Sequence, residues 1–192
     1  MNKRRSGILL HISSLPGGDG IGTMGKEAFG FVDFLCETQQ SVWQILPLGQ
    51  TGFGNSPYSS FSAFGGNILF IDLQKLSEQF YCEFEPIEFE DPKHVDYEKV
   101  KAYKMPILNQ AAENFLNNTT VDKTDYLQFN QQNEYWLNDF AFFMALKDFY
   151  ENKPLLEFDE DIRLRKPEAM LKYQTNLGKE IETIKILQYF FF

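Results

Sequence analysis

Cysteine, histidine and tryptophan are scarce in this 192-residue chain, with two of each. Cys36 and Cys82 fit no metal-ligand spacing. Cys36 lies in an apolar helical run and reads as a small core residue, so a reduced, cytosolic compartment is expected. His11 and His94 have no cysteine or serine partner at a recognisable spacing, and His11, at a strand end, reads as a hydrogen-bonded structural residue rather than a base. No run approaches the ~18 apolar residues of a membrane span, and the start has no apolar signal region. Neither export nor membrane insertion is expected, and the sequons at Asn117 and Asn118 are then idle. Positive charge is in deficit, 18 Lys+Arg against 27 Asp+Glu for a net charge of −9. Such a chain repels phosphate backbones. Its two basic clusters, "NKRR" over Asn2 to Arg5 and "RLRK" over Arg163 to Lys166, read as solvated faces, so no nucleic-acid partner is expected. There is no internal repeat.

What is present has an α/β grammar at the start and a helical one afterwards. "GILLHI" (Gly7 to Ile12) and "VWQILPL" (Val42 to Leu48) are short apolar runs that read as fully buried strands. Between them Ala28, Phe31, Val32, Phe34 and Leu35 recur at helical spacing. Strand, helix, strand in about 40 residues predicts a βαβ unit with parallel strands. "NILFIDL" (Asn67 to Leu73) is a candidate further strand, and the acidic, Pro-containing segment 83–98 a long surface connection. Thereafter the pattern is helical: Pro106 suits a first turn or a kink in a helix from near Tyr97, "EYWLNDFAFFMALKDFYEN" reads as a buried helix, and "KEIETIKILQYFFF" as a last helix with a broad apolar face. That helix stops on three phenylalanines without a cap or polar tail, which predicts a truncated chain exposing Ile186, Leu187, Tyr189 and Phe190 to Phe192.

The stretch "GFGNSPYSSFSAFGGN", residues 52 to 67, holds four glycines, four serines, three phenylalanines, a tyrosine and two asparagines, and no charge. Flat apolar rings interleaved with hydroxyl and amide groups suit a pyranose, itself an apolar face rimmed by hydroxyls. A packed Ω-loop burying its own phenylalanines is the competing reading. "GIGTMGK" (Gly20 to Lys26) matches G-x-G-x-x-G and most of a Walker A pattern, yet Glu27 stands where a hydroxyl should meet magnesium. Seven residues also separate Ile12 from Gly20, too many for a dinucleotide turn. Asp72 closes an apolar run as either a catalytic carboxylate or a capping one. No carboxylate pair stands out for glycoside chemistry, so no catalytic residue and no metal ligand is assigned.

"SGILLHISSLPGGDGIGTMG", "WQILPLGQTGFGNSPYSSFSAFGGN" and "FIDL" resemble the N-terminal region of the 4-alpha-glucanotransferases, the amylomaltase or disproportionating-enzyme family, and "WLNDFAFFMALK" and "ILQYFFF" resemble its following helical segment. Gln50, Gly65 and Ile68 depart from the family's usual Pro, Ala and Pro. The resemblance implies the start of a (β/α)8 barrel, a fold of about 250 residues or more. It implies first βα units over residues 1–82, a mainly helical insertion subdomain over 83–178, and a helix leading back over 179–192. It further implies cofactor-free, retaining transfer of an α-1,4-glucan or maltooligosaccharide segment. The aspartate nucleophile, glutamate acid/base and second aspartate of the family lie in motifs absent here, so the chain alone is expected to be inactive. Ser56 and Tyr58 are, by resemblance, substrate-binding residues. A non-catalytic glucan-binding module is the alternative.

Overall fold

The computed structural model describes residues 4–79, 81–91 and 93–192, and of Phe53 the backbone only. Asn2 and Lys3 of the basic start thus lie outside the described residues. The chain forms two compact units, residues 1–118 with Phe191, and residues 119–190 with Phe192. It is helix-rich α/β.

In the first unit, β1 (Gly7–Leu9), α1 (Lys26–Glu37) and β2 (Val42–Gln44) form the expected unit, with β1 parallel to β2 in the register Ile8 to Trp43. The Trp43 indole donates to the Leu10 carbonyl at 2.7 Å and packs edge-on to Phe31 of α1 at 4.9 Å, so one side chain ties sheet to helix. Ile12, Leu15, Ile21, Ala28, Leu69, Phe70 and Val100 form the core. The strands are shorter than expected and are not fully buried: Leu9 and Val42 are exposed, as is Ile45 just past β2. Among the described residues the sheet has two strands only, and side chains on a face that no other layer covers stay in solvent. Cys36 is likewise exposed rather than in the core, because Phe29, Val32 and Phe34 give α1 a wider apolar surface than the chain covers.

Residues 67–73 are not a strand. The Asn67 side chain accepts from the Leu69 amide at 3.1 Å and caps a 3₁₀ turn over Ile68–Phe70, and Asp72 accepts from the Lys75 amide at 3.0 Å and caps α2 (Leu73–Glu78). Two local caps outweigh the β-preference of the apolar run. After an irregular connection, α3 (Tyr97–Asn117) starts under an Asp96 cap and runs through Pro106. Its Lys104 is fully buried, donating to Asp19 at 2.8 Å and to the Ile71 carbonyl at 2.7 Å.

The second unit is helical: α4 (Thr124–Gln132), α5 (Glu134–Phe149), α6 (Glu160–Arg163), α7 (Pro167–Asn176) and, up to Phe190, α8 (Gly178–Phe191). As expected, α5 is buried over most of its surface, including Trp136, Leu137, Phe140, Phe142 and Leu146. Its buried Lys147 donates to the carbonyls of Asn152 and Lys153, both at 2.7 Å, which satisfies a turn whose Glu151 and Asn152 adopt φ of 52° and 61°. Ile186 and Leu187 are buried, not exposed as their position near the chain end suggests, because α8 packs back against this same chain; Phe192 is exposed. The basic cluster Arg163 to Lys166 is solvent-facing as expected, with Arg165 paired to Asp139 at 3.0 Å.

Candidate functional site

The ends of β1 and β2 lead into one cleft. Past Leu9 the chain turns at His11 into a single 3₁₀ turn, Ile12–Ser14, and past Gln44 it runs through Leu46 and Pro47 into the loop of residues 49–66. That loop is an excursion closed by antiparallel bridges, Gly49 to Gly66 and Thr51 to Ser60. Its tip is built from turns. Gly54 and Asn55 sit at φ of 79° and 53°, conformations that glycine and asparagine tolerate best, and they reverse the chain just before Ser56. The Ser56 carbonyl then accepts from the Ser59 amide at 2.9 Å, while its hydroxyl oxygen receives the Tyr58 amide at 3.4 Å. Downstream, the Ser62 hydroxyl oxygen receives the Phe64 and Gly65 amides at 3.0 and 3.1 Å. The many serines therefore replace regular pairing as backbone partners.

This bonding leaves the Tyr58 ring in solvent, 76% exposed, with Phe61 and Phe64 also exposed. Phe61 and Phe64 are thus only partly covered, where a self-contained Ω-loop would bury them. Beside the tip lies a cleft of about 140 Å³, lined among others by His11, Thr51, Asn55, Pro57, Asn67 and Tyr97. Asn55 and Pro57, which flank Ser56, line it; Ser56 and Tyr58 do not. None of its lining residues is acidic or carries a fixed charge, so its chemistry is that of neutral hydrogen-bonding groups against apolar walls.

His11 departs from its expectation. It is half-buried, its ring meets Phe70 edge-on at 5.4 Å, and Nδ1 is buried without a hydrogen-bond partner. Burial pushes its pKa below the usual imidazole value, so the ring is neutral near pH 7. His94 lies elsewhere, on the surface, 2.7 Å from Asp91. The Lys93 amide and then His94 hold the Asp91 carboxyl below its usual range.

The glycine-rich stretch forms no phosphate cradle. Gly25 caps α1, and a β-carbon there would collide with the Asp72 carboxylate, which the Thr23 hydroxyl fixes with a 2.7 Å bond. Asp72, with Glu27 in the first turn, puts carboxylates where a phosphate would need hydrogen-bond donors. Asp72 itself serves as a cap. Among the described residues no group of three His, Cys, Asp or Glu side chains is placed to hold a metal, and no helix is long and apolar enough to cross a membrane. Sequence reasoning missed Tyr97 and Asn67 as cleft residues. Tyr97 arrives on α3 from a distant part of the chain with no local signal, whereas Asn67 had one, its position as a cap ahead of an apolar run.

The fold and its site define a helix-rich α/β protein with an uncharged, aromatic-flanked cleft at the carboxyl ends of parallel strands. A family model described as 4-alpha-glucanotransferase matches residues 10–192, and the chain belongs to that family. It is 46% identical over 197 residues to the 4-alpha-glucanotransferase of Streptococcus pneumoniae, covering 100% of this chain and 39% of that protein. Against that of Thermus thermophilus it is 38% identical over 190 residues, covering 98% and 38%. It also matches the structure of an amylomaltase from Streptococcus agalactiae in complex with acarbose, with a TM-score of 0.92 and 44% identity, over 98% of this chain and 39% of that one. The chain thus spans about 39% of the length of the first of these relatives.

Proposed function

We propose that this chain is the N-terminal part of an enzyme that transfers a segment of an α-1,4-glucan to glucose or to another glucan, with retention at the anomeric carbon and without a cofactor. The observation that carries this reading is the family match over residues 10–192. The open aromatic ring of Tyr58 beside an uncharged cleft supports it, because such a site offers a sugar both a stacking surface and neutral hydrogen bonds. In this reading residues 1–82 are the first βα units of a (β/α)8 barrel, whose active site lies at the carboxyl ends of its strands. Residues 83–178 are a mainly helical insertion and residues 179–192 lead back to the barrel; the compact units divide inside that insertion, after Asn118. Tyr58 stacks on a glucose unit and Ser56 helps to hold it. The carboxylates that ionise the glycosidic bond belong to the family's later motifs, and the compartment is the cytoplasm, in keeping with the free thiols of Cys36 and Cys82.

The test is incubation of the full-length protein with maltotriose. Free glucose together with oligomers longer than the substrate is the expected result. Glucose with no longer products makes the protein a hydrolase, and binding without turnover makes it a glucan-binding module.

A further inference from the structure

We infer that His11 is a further sugar-binding residue of this site, its Nε2 hydrogen-bonding a glucose hydroxyl in the cleft beside the Ser56–Tyr58 loop. The inference rests on the glucan reading of the site and adds a contact to it.

Three observations lead there. First, His11 follows β1 directly and lines the cleft together with Asn55, Asn67 and Tyr97, so its imidazole stands at the carboxyl end of a strand next to the loop. Second, neither ring nitrogen makes a hydrogen bond, and Nδ1 is sealed from solvent. Buried polar atoms are nearly always paired, and a buried N–H without an acceptor is rarer than a bare acceptor. The neutral tautomer with its proton on Nε2 therefore fits the site, with the lone pair of Nδ1 turned toward the protein and Nε2–H left as a donor for an incoming group. Third, the ring is held by packing: Phe70 meets it edge-on at 5.4 Å, and the adjoining Ile12 is in the core at 2% exposure. A donor fixed in direction before the ligand arrives loses little freedom on binding. The ligand is a polyol rather than an anion, because the lining side chains are neutral and the nearby Lys101 ammonium, which donates to Asn55 at 3.4 Å, is paired with Glu98. Burial, which holds His11 below the usual imidazole pKa, keeps the ring in this neutral form.

The experiment uses the full-length protein, with maltotriose kinetics, acarbose titration calorimetry and thermal unfolding measured on wild type, His11→Leu, His11→Gln and His11→Asn. Loss of one neutral hydrogen bond to the sugar is expected to lower kcat/KM and acarbose affinity by about five- to tenfold in His11→Leu, with an unchanged melting temperature. His11→Gln, whose amide reaches the Nε2 position, recovers most of the loss, whereas His11→Asn, which reaches only the Nδ1 position, does not. Wild-type affinity and kinetics in His11→Leu, or equal behaviour of the Gln and Asn variants, overturns the assignment. If His11→Leu loses its folding transition, the Gln and Asn comparison decides the matter by itself. Wild-type protein that neither binds acarbose nor acts on maltotriose refutes the glucan reading and the assignment with it. That outcome is told apart because it is seen before any substitution is made.

Discussion

Replacing Lys104 by methionine tests how the first unit is held together. The Lys104 side chain is 0% exposed, and its amino group spans from α3 to the Asp19 carboxylate at 2.8 Å and the Ile71 carbonyl at 2.7 Å. Methionine keeps most of the volume but leaves both acceptors without their donor. The Asp19 side chain is only 12% exposed and has little water to turn to. Breaking a buried pair by removing one partner costs about 3–5 kcal/mol, because the survivor's charge stays buried. The lost bond to the Ile71 carbonyl adds about 1 kcal/mol. Urea unfolding followed by circular dichroism on the full-length protein should therefore show Lys104→Met destabilised by about 4–6 kcal/mol. The double variant Asp19→Leu, Lys104→Met should recover much of the loss, since an apolar pair of similar volume is often neutral against a buried ion pair. A single variant within about 1 kcal/mol of wild type would refute the reasoning, as would a double variant no better than the single.

Tyr58→Ala should weaken sugar binding by on the order of 1 kcal/mol, about fivefold in KM for maltotriose, while the melting temperature stays unchanged because the ring is in solvent; loss of the folding transition would mean that the ring is structural. Gly25→Ala drives a β-carbon into the Asp72 carboxylate and should cost about 1–3 kcal/mol in thermal unfolding, whereas wild-type stability would contradict the packing seen at the start of α1. In the second unit the Tyr173 hydroxyl donates to Asp159 at 2.5 Å, and this bond, followed by one from Tyr150, holds the Asp159 carboxyl below its usual range. A carboxyl whose folded pKa is depressed contributes stability above its unfolded pKa, near 3.9, and loses it as pH falls through the folded value. Tyr173→Phe should therefore flatten the stability profile below about pH 4, and a profile parallel to wild type would show that Asp159 owes nothing to this bond.

Much of the first unit was legible because hydrophobic periodicity marks a helix between two apolar runs whatever covers them later. Periodicity carries no information on where pairing ends, and so the apolar runs "GILLHI" and "VWQILPL" are at least twice as long as the three-residue strands they contain. It also does not separate an apolar strand from an apolar turn. "NILFIDL" was misread for that reason, although Asn67 and Asp72 stand at its two ends as caps. Composition marked residues 52–67 as an uncharged loop of rings and serines but left its use open, since the hydroxyls of Ser56 and Ser62 serve the loop's own backbone amides. The cleft beside it could not be read from composition, because it takes His11, Asn67 and Tyr97 from three separate stretches. The Lys104 to Asp19 pair joins residues 85 positions apart, and nothing near either marks it as buried.

Transfer to an added acceptor is the most direct measure of what this protein does. The full-length protein is incubated with maltotriose and ¹³C-labelled glucose, and the label is followed by mass spectrometry through the oligosaccharides formed. The glucan-transferring reading predicts label at the reducing end of maltose, maltotetraose and longer products, accumulating as maltotriose is consumed. Consumption of maltotriose with all of the label remaining in free glucose would contradict it.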